Sequence, residues 1–136
     1  MNVDLFLDRV VFMARNFGDC DPKYMARICL MDIGVPCHFD GYKFIARGAA
    51  VKHENPDAMI TKHIYPAIAK KYRCSTMQVE ASFRRAVDAA HKNRNDRWLC
   101  YFPDGKKPSN DEFLGVICEL LDFWEVCKKN LRKGDC

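Results

Sequence analysis

Basic side chains are concentrated in the middle of the sequence. Between Ala58 and Arg97 there are nine basic and three acidic residues, a net charge of +6, which leaves −2 for the rest of a chain whose total is +4. The basic residues of this window are Lys62, Lys70, Lys71, Arg73, Arg84, Arg85, Lys92, Arg94 and Arg97. Clustered ammonium and guanidinium groups suit a polyanion. A solvated helix face would carry the same charge, so charge alone does not distinguish a polyanion-binding surface from a solvated one.

The centre of this basic segment has the pattern of a short helix, a turn and a longer helix. The short helix is predicted over Pro66–Tyr72 and the turn over residues 73–75. Ser75 and Gln78 have capping-box spacing, serine first and glutamine three residues later, which predicts a helix over residues 76–92. A short helix followed by a turn and a longer helix is the pattern of a helix-turn-helix.

The longer helix is predicted to be amphipathic. Its apolar residues recur at helical intervals and are expected to face the core: Val79, Phe83, Ala86, Val87 and Ala90. The opposite side is expected to carry Met77, Ala81, Arg84, Arg85, Asp88 and Lys92. Any helical bundle contains such helix pairs. The outward arginines favour a DNA-binding one, since arginine suits both phosphates and guanine edges.

Pro66 also predicts a break in the chain. The residue before a proline is disfavoured in a helical conformation, here Tyr65. We therefore expect a helix that begins near Pro56 to end before a new one starts at Pro66.

The rest of the sequence is also helical in its periodicity, and we find no credible strand. The further helices are predicted over residues 3–17, from Pro22 to Gly34, over 42–52, around 96–102, and from a second capping box at Ser109 and Glu112 onward. The fold class is therefore all-α, a compact bundle of about six helices with a central helix-turn-helix, plus one extra N-terminal helix. We divide the chain into an N-terminal helical extension (1–20), a helix-turn-helix domain (21–127) and a basic, frayed C-terminal tail (128–136).

The remaining chemistry-bearing residues do not indicate an enzyme or a metal site. The four histidines are scattered, with no carboxylate or cysteine at a catalytic spacing. The eight cysteines contain no C-x-x-C pair, so we expect free thiols, no metal and no cofactor. Asp4 and Asp8 interrupt the apolar N-terminus, and no apolar run is long enough to cross a bilayer, so we expect a cytoplasmic protein without membrane contact.

Four stretches together resemble one known family. They are IGVPCHFDGY (33–42), ITKHIYPAIAKK (60–71), VEASFRRA (79–86) and KPSNDEF (107–113). In order and spacing, apart from a small length change near Pro103, they resemble the C-terminal effector domain of the sporulation initiation (stage-zero A) response regulators of endospore-forming bacteria. The resemblance covers residues 21–125. It implies a six-helix DNA-binding domain that controls transcription through a short operator box, often with two domains on adjacent boxes.

The resemblance also implies which residues meet DNA, with residues 76–92 as the recognition helix. The family reads its operator with two arginines and a glutamate. The glutamate position falls on Glu80, and the arginine positions fall on Gln78 and Ala81. We expect base contacts from these three residues and an altered base preference, although Gln78 could serve only as a cap and Glu80 only as a solvated acid. Backbone contacts are expected from Lys62, Lys70, Lys71, Arg73, Ser75, Arg84, Arg85 and Lys92.

Two functions stay open at this point. The first is a sequence-specific regulator of transcription that binds duplex DNA, as a homodimer on DNA or together with a related regulator, and that lacks the family's receiver domain because only about twenty residues precede the match. The second is a protein-interaction module of the same fold that has lost DNA binding and pairs with a related regulator. Loss of arginine at Gln78 and Ala81 favours the second, and retention of Arg73, Arg84 and Arg85 favours the first.

Overall fold

The computed structural model describes residues 3–132, in which all regular structure is helical and no strand occurs. The helices are α1 (Val3–Phe17), α2 (Pro22–Ile33), α3 (Asp40–Glu54), α4 (Tyr65–Tyr72), α5 (Thr76–Lys92), α6 (Trp98–Tyr101) and α7 (Asn110–Arg132). The predicted all-α fold class is confirmed. The helix predicted over 42–52 is longer at both ends: it begins at Asp40 and ends at Glu54.

The predicted ends of α2 are confirmed by its capping contacts. The Asp21 carboxylate accepts the N–H of Lys23 at 2.9 Å, and Pro22 occupies the first turn, where its missing N–H costs nothing. Gly34 ends the helix with a φ of 107°, in the left-handed region that glycine adopts without steric cost.

The predicted break at Pro66 is wrong. A π-helical turn, Ile60–Ile64, runs directly into α4, and Tyr65 keeps the helical angles φ −57° and ψ −45°. The N–H of Tyr65 bonds the carbonyl of Ile60, five residues back, which is the spacing of a π-helix. Pro66 is the second residue of α4, and a proline is tolerated in the first turn of a helix. Regular structure here starts at Ile60, and not near Pro56.

Helix α3 is the platform on which α5 rests. At Gly41 a side-chain carbon would collide with the carbonyl oxygen of Ser82 and lie 2.6 Å from the Cβ of Ala86. At Gly48 it would lie 3.3 Å from Phe83. Glycine at these positions therefore lets the backbones of α3 and α5 approach closely and fixes the inner face of α5.

The two terminal helices pack against each other. Phe6 of α1 meets Phe123 of α7 edge to face, with ring centroids 6.1 Å apart. The second capping box is present before α7: the Ser109 N–H donates to Glu112 at 3.2 Å, and the Glu112 N–H donates back at 3.1 Å. Helix α7 continues to Arg132; the division at residues 20 and 127 stays a prediction, and residues 133–136 of the proposed tail lie outside the described residues.

Cys20, Cys29, Cys37, Cys74, Cys100 and Cys118 are free thiols, whereas Cys136 lies outside the described residues. Burial raises the pKa of the Cys118 thiol to about 12 and shifts that of Cys29 upward as well, so both are held as neutral thiols. In the described part of the chain no helix is long and apolar enough to cross a membrane. Nor do any of these residues group His, Cys, Asp or Glu side chains in a way that could hold a metal ion.

Candidate nucleic-acid interface

Helices α4 and α5 form the helix-turn-helix at the predicted position. The apolar stripe predicted for α5 is buried without exception: Val79, Phe83, Ala86, Val87 and Ala90. Tyr65 of α4 stands edge-on against Phe83 of α5, with centroids 5.2 Å apart. This packing fixes the two helices relative to each other and turns the basic side of α5 outward.

The turn between the helices depends on Arg73. This residue adopts φ 55° and ψ 50°, and it is the one non-glycine residue among residues 3–132 with a positive φ. The N–H groups of Arg73 and of Cys74 both bond the carbonyl of Ala69, the latter at 3.0 Å, which closes the last turn of α4. The Arg73 side chain is exposed, and so are Lys70 and Lys71 just before it. Three positive charges therefore surround the turn.

The first turn of α5 is held by the predicted capping box. The Ser75 N–H donates to Oε1 of Gln78 at 2.8 Å, and the Gln78 N–H donates to Oγ of Ser75 at 3.1 Å. The side-chain oxygen of Gln78 is thus engaged, whereas its amide nitrogen bonds no other described residue. Gln78 remains exposed, so this nitrogen presents a donor to solvent.

Charged side chains pair along the outward face of α5. Nη1 of Arg84 lies 3.5 Å from Oε1 of Glu80, one helical turn back, and both side chains are about half exposed. Nη2 of Arg85 donates to Oγ of Ser82 at 3.3 Å. Ala81 follows Glu80 in the chain; it is half-buried and offers only a methyl group. Because exposed ion pairs contribute little free energy, Arg84 and Glu80 can exchange this contact for others.

Lys62 and Lys92 lie apart from the turn. Lys62 is exposed on the π-helical turn, and Lys92 is the last residue of α5. With a rise of 1.5 Å per residue, Lys92 lies roughly 21 Å along the helix axis from Gln78. The predicted backbone-contact residues therefore divide into those at the turn (Lys70, Lys71, Arg73 and Ser75), those on the middle of α5 (Arg84 and Arg85), and Lys62 and Lys92 farther away along the chain; the first two groups are called the basic cluster around the turn.

Asn110, which sequence reasoning did not single out, ties the recognition helix to α7. Its Nδ2 lies 3.0 Å from the hydroxyl of Tyr65 and 3.2 Å from the carbonyl oxygen of Glu80. Burial raises the pKa of Tyr65, so the phenol remains neutral. One amide group thus joins α4, the first half of α5 and the start of α7. The only sequence signal was its place inside the stretch KPSNDEF.

Comparison with known families agrees with this architecture. The family model described as sporulation initiation factor Spo0A C terminal matches residues 27–121, well over half of the chain. The match extends from within α2 into α7 and so includes the platform helix and the whole helix-turn-helix, whereas α1 lies outside it. The chain therefore belongs to the Spo0A C-terminal family, whose members are DNA-binding effector domains of sporulation regulators.

Proposed function

We propose that the protein binds duplex DNA through α5 and reads its bases with a preference different from that of its family. The proposed backbone contacts are those of the basic cluster around the turn, and the proposed base contacts are Gln78, Glu80 and Ala81. The observation that carries the proposal is the exposure of α5: Gln78 and Glu80 are exposed and Ala81 is half-buried, and along the chain they come between the exposed Arg73 and the exposed Arg84 and Arg85.

The capping box limits what Gln78 can read. A glutamine recognises adenine with both its oxygen and its nitrogen. Here the oxygen accepts the Ser75 N–H, so only the amide nitrogen is available while the box stays closed. We therefore expect a single donated bond, to an acceptor such as a purine N7 or a thymine O4. This contact discriminates less than an arginine bidentate to guanine, which contributes about 1–3 kcal/mol.

The other two positions suit different partners. The methyl group of Ala81 can pack on a thymine methyl but cannot donate a hydrogen bond. The Glu80 carboxylate can accept from a cytosine amino group when Arg84 turns to a phosphate. The expected operator is therefore shifted towards A·T pairs, or its sequence preference is weak.

The test is selection of bound duplexes from a random pool, carried out with the natural chain and with the Gln78→Arg, Ala81→Arg double variant. We expect the natural chain to select an A·T-shifted box, and the double variant to gain guanines and bind the box preferred by arginine-bearing members of the family. The control is Leu99→Arg with Val126→Arg, which adds the same charge at exposed positions outside α4 and α5. It should raise affinity for all duplexes without changing preference.

Selection of the family's box by the natural chain, with both positions indifferent to substitution, would contradict this placement of the recognition helix.

A second candidate is a protein-interaction module of the same fold that no longer binds DNA and pairs with a related regulator. It is favoured by the engaged oxygen of Gln78 and by the pairing of Glu80 with Arg84. The two candidates differ in one measurement. The module would bind no duplex even at low salt, where electrostatic binding of proteins to DNA phosphates is strongest.

A further inference from the structure

An open cleft lies between α1 and α2. It has a volume of about 400 Å³ and is lined on its apolar side by Phe12, Met13, Phe17, Ile28 and Met31. At its polar end, Arg9 and Arg97 both bind the buried Asp32. Two guanidinium groups share one carboxylate, so this end of the cleft carries a net positive charge.

Large apolar side chains are exposed around the cleft. Phe12 is 46% exposed, Met31 62% and Tyr24 55%. Tyr24, Ile28 and Met31 follow one another at the i, i+4, i+7 spacing of a single helix ridge on α2. Grouped exposed apolar side chains mark interaction surfaces more often than scattered ones. The α1 half of this face lies outside the family match and does not belong to the helix-turn-helix.

The charges of α1 are ordered along the helix. Asp4 and Asp8 come first, and Arg9 and Arg15 follow them towards the C-terminal end. Asp4, Asp8 and Arg15 are exposed. A helix of this kind is complementary to an antiparallel copy of itself, because the acidic residues of each copy then lie near basic residues of the other, whereas a parallel copy brings like charges together.

We propose that this face binds a second copy of the chain, with the two α1 helices antiparallel about a two-fold axis that passes between Asp8 and Arg9. In this register Asp8 lies opposite Arg9 of the second copy, and the exposed Leu5 lies opposite Phe12. Asp4 then falls within one helical turn of Arg15 of the second copy. The apolar ridge of α2 flanks the contact on both sides. A two-fold interface needs only one self-complementary patch, which this face provides.

The test is sedimentation equilibrium of the full chain over a wide concentration range, without DNA. Asp4→Arg and Arg15→Asp, each alone, place like charges at both ends of the interface and are expected to weaken dimerisation by about tenfold each. The combined variant Asp4→Arg, Arg15→Asp restores opposite charges and is expected to recover the natural dimer. Both side chains are exposed, and thermal unfolding of each variant verifies that the fold is kept.

Phe12→Ser tests the apolar part of the same face. It is expected to abolish the dimer, whereas Met59→Ser, a similarly exposed apolar position distant from α1 in sequence, leaves it unchanged. A chain that stays monomeric at every concentration overturns the proposal and assigns the face to a different protein partner. A dimer that is indifferent to Phe12→Ser, or not restored by the combined charge exchange, overturns it as well.

Discussion

At the level of single residues, Gln78 shows how local structure restricts recognition. The first turn of α5 needs a partner for the Ser75 N–H, and the Gln78 oxygen supplies it at 2.8 Å. An arginine at the same position could not accept this bond, because a guanidinium has no acceptor. Glutamine at position 78 therefore supports the start of the helix, and it has fewer groups available for the proposed base contact than an arginine would have.

Arg73 provides a test in which stability and DNA affinity separate. A non-glycine residue in the left-handed region costs roughly 1 kcal/mol, and glycine removes that cost. The free energy of unfolding, measured with denaturant, is expected to be about 1 kcal/mol larger for Arg73→Gly than for Arg73→Ala. Both variants lose the same positive charge, so both should bind duplex DNA equally weakly. Greater stability of the alanine variant would show that the turn is not held in this conformation.

At the level of elements, the sequence carries much of the information about individual helices. The apolar spacing of α5, the serine-led capping boxes and the start of α2 at Pro22 are local patterns, and the structure confirms each of them. The π-helical turn was not predicted, because a proline disfavours a helical conformation in the residue before it. In the structure Tyr65 is nevertheless helical, and its ring packs against Phe83. This conformation is accompanied by a tertiary contact, which the spacing of apolar residues in the sequence does not indicate.

Asn110 tests whether the position of α5 affects recognition. Asn110→Ala removes the tethers to Tyr65 and Glu80 and is expected to cost about 1 kcal/mol of stability per bond. Because the tether holds the turns of α5 that carry the proposed base contacts, affinity for the selected duplex should fall more than affinity for random duplex. Tyr65→Phe should have a smaller effect on the selected duplex, and none when combined with Asn110→Ala.

Asn93→Ala is the matched control, since it removes an amide bonded only within the last turn of α5. Equal weakening of both duplexes by Asn110→Ala would mean that Asn110 supports the fold without influencing recognition.

At the level of the whole molecule, Asp32 connects elements that are distant in sequence. Its carboxylate accepts from Arg9 at 2.7 Å, from Arg97 at 2.8 Å and from the Tyr101 hydroxyl at 2.6 Å. Burial raises the pKa of Tyr101, so the phenol stays protonated and donates. No local pattern indicated this cluster, because its members are 23 to 69 residues apart and meet only after the helices have packed.

Asp32→Asn is therefore expected to destabilise the protein strongly. It leaves the largely buried guanidinium group of Arg9 facing a neutral amide, which costs about 3 kcal/mol. Arg97→Gln should cost less than about 1 kcal/mol, because the Arg97 side chain is exposed and Arg9 still neutralises Asp32. Denaturant unfolding measures both. Similar stability of Asp32→Asn and the natural chain would show that the cluster does not hold α1, α2 and α6 together.

The proposed binding of the DNA backbone by the basic cluster around the helix-turn-helix can be tested by measuring duplex affinity as a function of salt concentration. We expect the logarithm of the affinity to fall linearly with the logarithm of salt concentration. Lys70→Gln and Arg84→Gln should each reduce the slope by about one, because each removes one phosphate contact. Lys129→Gln, at an exposed position on α7, should leave the slope unchanged. Absence of binding at low salt, or a slope that responds to Lys129 and not to Lys70 and Arg84, would contradict the account.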